Sequence, residues 1–222
     1  MAGHTRASVL NPIAVIDFET TGMSPGQGAR ATEVGIVLVE NGQVVDRFQS
    51  LMNTGVYIPG FITQLTGITN AMVAAAPDAA QVIADAARFV NGAPMVAHNA
   101  SFDSKFWQAE LALAGVAAPH VFACTVLLSR RLYPQAPSHK LGNLVDYHHL
   151  PRTGRAHRAL ADAEMAAALL GQIQHDLRKR WGVERPDHAL LVGLQRCGKQ
   201  GVGRFIERRV QDQSPQRELA FV

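Results

Sequence analysis

Three strand-length apolar runs stand near the head of the chain, and they limit the architectures open to it. Residues 12–18 (PIAVIDF), 33–39 (EVGIVLV) and 44–52 read as strands, with the turn signal Glu40-Asn41-Gly42 between the second and third. From residue 61 the periodicity becomes helical, with starts marked by Thr69 and Pro77 and a stop at Asn91-Gly92. Pro94 to Ala97 predicts a fourth strand, and Ser101 the cap of a helix reaching Ala114, where Gly115 ends it. A short strand at 121–123 leads into a helix ending near Leu132. Further helices are predicted over 140–147, 158–180 and, more briefly, 188–196. Strands first, then helices alternating with short strands, predict an α/β domain: a mixed sheet covered by helices. The pattern weakens after Trp181-Gly182. This divides the chain into a domain over 8–182 and a C-terminal extension over 183–222, partly helical or flexible.

Of the 222 residues, 47% are hydrophobic, enough for one full core plus an extension. No run approaches the roughly 18 apolar residues that a membrane helix needs. The N-terminus also lacks a charged segment leading into an apolar stretch, so a cytoplasmic protein is expected, with no membrane partner. Cys124 and Cys197 are too few for a disulfide framework and are not spaced as a zinc site. The formal charge is +3, yet residues 175–222 hold ten Lys/Arg against six Asp/Glu, which leaves the remainder at −1. That asymmetry suits an appendage touching phosphate or an acidic partner, although a solvated basic face is the simpler explanation.

Asp17 and Glu19 lie two residues apart at the end of an apolar strand, so both carboxylates project to one face while Phe18 points to the other. Two adjacent anions drive each other toward protonation unless a cation sits between them. A hard divalent metal is the natural cation, since Mg²⁺ prefers oxygen ligands. A solvated strand end also explains a bare DxE. Thr20, Thr21 and Gly22 then let the backbone come close to a ligand. Asp103 opens one helix and Asp162 sits near the start of another. Each on its own is a favourable first-turn charge. His157 stands five residues before Asp162 in an Arg-rich loop. Together, the four acids and one imidazole form the set that two-metal phosphodiester hydrolysis requires. One ion activates water and the other stabilises the leaving 3′-oxygen, the two being roughly 4 Å apart, while histidine takes the proton near neutral pH.

The segments DFETTG (17–22), VAHNASFD (96–103) and HRALAD (157–162) resemble the three motifs of the DEDDh 3′-5′ exonucleases. The likeness is nearest to the epsilon proofreading subunits of bacterial DNA polymerase III, and it extends to LTGIT (65–69) and SHKLGNL (138–144). The resemblance implies a ribonuclease H-like fold, a five-stranded mixed sheet flanked by helices. It implies two Mg²⁺ (or Mn²⁺) ions. Asp17 would bridge both, Glu19 and Asp162 would hold the water-activating ion, Asp103 would support the other, and His157 would be the general base. Thr20, Thr21 and Gly22 would contact the terminal nucleotide. Leu65, Thr66 and Ile68 would border its base and sugar, and His98, Asn99 and Phe102 would line the floor. Leu65, Ile68 and Phe102 also fit as ordinary core residues.

A pocket for one unpaired nucleotide implies a preference for single-stranded or frayed 3′ ends of DNA, because unstacking a base costs a few kcal/mol. RNA 3′-end trimming of the ribonuclease T or oligoribonuclease kind uses the same residues and stays open, as does a non-catalytic nucleic-acid-binding module. The C-terminal QRELAF (216–221) resembles the hexapeptide by which bacterial replication proteins dock on the sliding clamp, with Gln216, Leu219 and Phe221 as its fixed positions. A polymerase subunit is the second partner that the resemblance implies.

Overall fold

The computed structural model describes residues 12–117 and 119–213. Its centre is β1 (Ile13–Thr20), whose side chains alternate between two coverings. Ala14, Ile16 and Phe18 enter one apolar cluster, while Val15 enters another on the opposite face. β2 (Ala31–Glu40) pairs antiparallel with β1, and β3 (Gln43–Leu51) antiparallel with β2. β4 (Met95–Ala97) and β5 (Phe122–Cys124) add parallel strands on the other side, giving the order β3-β2-β1-β4-β5. This is the five-stranded mixed sheet that the sequence predicts. β2 is buried along most of its length, whereas β3, at the edge, is largely exposed.

Between β3 and β4 the chain forms α1 (Gly60–Thr66), α2 (Asn70–Ala74) and α3 (Ala79–Val90). α4 (Ala100–Leu113) follows β4. α3 and α4 cover the Ile16 face with Val82, Ile83, Phe106 and Trp107. The Val15 face is covered by α5 (Thr125–Leu132), α6 (Leu141–Tyr147), α7 (Ala159–Trp181) and α8 (His188–Arg196). Their Leu128, Leu144, Leu170 and Leu191 are fully buried there. Among the described residues no helix is long and apolar enough to cross a membrane.

Three details differ from the sequence reading. α3 is capped by Asp78, whose carboxylate accepts from the amides of Ala80 and Gln81, so the start lies one residue beyond Pro77. α4 starts one residue before Ser101, because the chain leaves β4 through Asn99 in the left-handed conformation (φ 71°) and turns directly into the helix. A further helix, α9 (Val202–Gln213), occupies a stretch for which the sequence reading named no helix, although its apolar residues recur at helical spacing. Val202 and Ile206, one turn apart, are buried in the cluster that also holds Leu194. α8 lies along the outer edge of β5, where the Gln195 amide donates to Phe122 O (3.0 Å) and accepts from Cys124 N (2.6 Å).

Candidate active site

Asp17 and Glu19 share the β1 face on which α7 lies, as the two-residue spacing predicts. α7 comes close because of Gly35, the register partner of Asp17 on β2. A Cβ at Gly35 would sit 2.3 Å from the carbonyl carbon of Ala159 and from the amide nitrogen of Leu160. The first turn of α7 therefore rests on bare backbone, and this brings Asp162 beside the strand acids. Asp103 arrives from the other side, in the first turn of α4. Its Oδ1 accepts a hydrogen bond from Phe18 N (3.2 Å), an amide of β1 beyond the short β4 pairing.

Burial raises the proton affinity of all four carboxyls, and at Asp17 and Glu19 the neighbouring acids add to it. Burial pushes Asp17 well above the usual carboxylate range, and the charges of Asp103, Asp162 and Glu19 push it further. Burial is also the main cause at Glu19, pushed up to about 8 with help from Asp162 and Glu33 and against the pull of Arg158. Asp103 is pushed up to about 8 by burial, against its amide hydrogen bonds. Burial raises Asp162 too, opposed by His157. A divalent cation beside acids held this way would favour their ionised form. Glu19, His157 and Asp162 can each turn one donor atom to within 4.8 Å of the others, a separation that fits a shared ion. His157 is exposed at φ 60°, and its backbone amide donates to Asp162 Oδ2 (3.3 Å).

One acid at this site does different work, and the sequence reading passed over it. Glu33, fully buried on β2, accepts from Arg158 Nε (3.0 Å) and Nη2 (2.7 Å), from Ala159 N (3.1 Å) and from Gln49 Nε2 (2.7 Å). These bonds pin the chain immediately after His157 to the sheet. An acid inside the apolar run EVGIVLV was the available signal, as was Gly35 inside a strand, which marks a close backbone approach.

The residues expected to line the substrate position separate into two groups. Thr20 and Thr21 are buried and use their hydroxyls within the turn: Thr20 donates to Gly22 O (2.7 Å) and Thr21 accepts from Arg30 N (3.0 Å). Thr66 is buried, donating to Ile62 O and accepting from Ile68 N, and Ile68 packs with Ile58 and Val73 in a small satellite core. Gly22 and Phe102 are half-buried, Phe102 lying against Phe106, while Leu65 is exposed. His98, Asn99, His157 and Asp162 line one cleft of ≈ 720 Å³, with Arg130 and Lys140 on its wall. His98 Nε2 donates to His139 O (3.1 Å), so the ring's Nδ1 accepts from the Thr125 hydroxyl (2.9 Å). Burial holds His98 down at about 4, so it stays neutral. Gln216, Leu219 and Phe221 lie outside the described residues.

The exonuclease family profile matches residues 14–170, which include the four acids and His157. The chain belongs to the exonuclease family. This exonuclease domain is 39% identical over 166 residues to the 3′-5′ exonuclease DinG of Bacillus subtilis (strain 168), covering 74% of this chain and 18% of that protein. It is 33% identical over 179 residues to a DNA polymerase III PolC-type of Caldanaerobacter subterraneus subsp. tengcongensis, covering 81% and 13%. A DNA polymerase III subunit epsilon-like protein of Rhodobacter capsulatus is 37% identical over 172 residues, covering 75% and 24%. The chain thus spans less than a quarter of the length of these relatives. Among solved structures, Exonuclease X in complex with 5′ overhanging duplex DNA superposes with a TM-score of 0.62 at 29% identity, covering 82% of this chain and 99% of that one. The nuclease domain of 3′hExo, a DEDDh family member, superposes at 0.65 with 22% identity, covering 76% and 94%. The fold is ribonuclease H-like.

Proposed function

We propose that this chain is a metal-dependent 3′-5′ exonuclease that releases nucleoside monophosphates from single-stranded or frayed 3′ ends of DNA in proofreading or repair. The observation that carries this reading is the convergence of Asp17, Glu19, Asp103 and Asp162 from three separate elements on one position, with His157 at its edge. Two Mg²⁺ or Mn²⁺ ions held there would supply Lewis-acid activation of water and charge stabilisation at the leaving 3′-oxygen. Glu19 and Asp162 would hold one ion, Asp103 the other, and Asp17 would serve both. His157 takes the proton of the attacking water. Its exposure lets it pass that proton to solvent, and the Glu33–Arg158 bonds keep its backbone in place. The adjoining cleft, with Arg130 and Lys140 on its wall, would receive the terminal nucleotide and its phosphate.

DNA is favoured over RNA because the relatives reported above include polymerase III proteins, and Exonuclease X, the more identical of the two superposed structures above, is in complex with 5′ overhanging duplex DNA. A polymerase and, through residues 216–221, a sliding clamp are the partners we propose. The test is incubation with Mg²⁺ and end-labelled single-stranded DNA, mismatched-end duplex and RNA, beside Asp17→Ala and His157→Ala. Laddering from the DNA 3′ end, lost in both variants, supports the reading. Faster shortening of RNA moves the substrate to RNA, and no metal-dependent cleavage of any substrate by the unmutated protein removes the enzyme.

A further inference from the structure

α1 is apolar on both sides. Its inner side, with Ile62 and the buried Thr66, packs on Ile58, Ile68 and Val73. Its outer side carries Phe61 and Leu65, one turn apart, which are 67% and 49% exposed. Tyr57, three residues before the helix, is 74% exposed. One large apolar side chain in water is ordinary. Three within nine residues, two of them aromatic, mark a contact surface.

The position of this surface says what it meets. α1 ends at Gly67, and the Arg155 guanidinium lies so close that a Cβ on Gly67 would stand 2.6 Å from Arg155 Nη1. Arg155 is two residues from His157, and among the described residues it forms no ion pair. The C-terminal end of α1 therefore lies beside the loop that carries His157, with a cation at its foot. A polymer whose last unit occupies the active site must leave over adjoining surface. Aromatic rings beside an uncompensated cation suit stacked bases joined by phosphates.

We propose that Tyr57 and Phe61 form a stacking platform for the unpaired bases that precede the terminal nucleotide, continuing outward from Leu65. The inference rests on the nuclease reading above. It explains why α1 presents rings to water where a polar side chain would cost less exposed apolar area, and it gives the enzyme affinity for a strand without a preferred sequence.

The test compares the full chain with Tyr57→Ala, Phe61→Ala and Phe61→Trp on three substrates. These are a single-stranded DNA 12-mer, the same 12-mer with abasic sites next to its 3′-terminal nucleotide, and the p-nitrophenyl ester of thymidine 5′-monophosphate. For the intact 12-mer, KM rises about tenfold in Phe61→Ala, the size of one lost stacked base, and stays near normal in Phe61→Trp. kcat and ester hydrolysis do not change, and on the abasic 12-mer the unmutated protein and Phe61→Ala become equal. Equal KM on the intact 12-mer overturns the proposal, and so does a parallel loss on the ester. If the unmutated protein cleaves nothing, the nuclease reading falls. Metal-free anisotropy binding of the two 12-mers then decides the platform alone, which stands if binding depends on both the bases and Phe61 and is overturned if it does not.

Discussion

Glu19 and Glu33 are register partners across β1 and β2, yet their carboxylates have opposite surroundings. Glu33 is filled by donors from Arg158, Ala159 and Gln49, whereas Glu19 faces Asp162. Neighbouring acids on one sheet thus divide into a fastener and the acid proposed above to hold a metal ion. Glu33→Ala should cost about 2 kcal/mol, below the roughly 3–5 kcal/mol of a fully buried pair because Arg158 retains some solvent. It should lower kcat more than it raises KM for DNA, since the loop bearing His157 loses its anchor. Glu33→Gln should recover part of both. Denaturant melts and steady-state kinetics on the three proteins check this, and an unchanged kcat in Glu33→Ala would refute the anchoring role.

The raised carboxyls make stability depend on metal and pH together. Glu19 and Asp103 bind protons up to about pH 8 in the folded chain, well above their ordinary values. Between those values the folded state holds more protons than the unfolded one, so metal-free stability falls as pH rises. The window from about pH 6.5 to 8.5 isolates the effect, because the penalty for keeping His98 neutral is felt only below the ordinary histidine range. In EDTA, Tm should drop across that window. Mg²⁺ should restore more at the upper end, and Asp103→Asn should flatten the slope while abolishing cleavage. A Tm that rises with pH in EDTA would contradict this account.

Gly35→Ala places a methyl group into the backbone of Ala159 and Leu160. α7 must lift from the sheet, carrying Asp162 away from Asp17. A loss of about 3 kcal/mol is expected, with weaker Mg²⁺ binding by calorimetry even in preparations that remain folded. Normal Mg²⁺ affinity would show that the close approach does not set the site.

Deleting residues 216–222 should leave cleavage of short single-stranded DNA unchanged and remove retention on an immobilised bacterial sliding clamp. Equal retention of the intact and shortened chains would dismiss the hexapeptide reading.

The placement of the acids was legible in the sequence: strand alternation fixes the face of Asp17 and Glu19, and helix starts place Asp103 and Asp162, though each of the latter read alone as a first-turn charge until the resemblance joined them. The strands and most helices were legible for the same reason: their periodicity is local. Other features depend on residues distant in the chain. Glu33 and Arg158 lie far apart in sequence, and nothing local announces their pairing. The inward turn of the Thr20 and Thr21 hydroxyls depends on how the chain bends toward Arg30. α9 was legible too, since Val202, Ile206 and Val210 recur at helical spacing, but the sequence reading passed over that stripe in a segment otherwise rich in charge.

Gln195 has a consequence for any shortened form of this protein. Its amide occupies the main-chain positions on β5 that another strand would use. A chain cut at residue 182 would keep all four acids and His157, yet it would present an unprotected strand beside the apolar surface vacated by Leu190, Leu191 and Leu194. Such a fragment is expected to self-associate through β5, because the Gln195 amide and the leucines of α8 cap that edge in the longer chain.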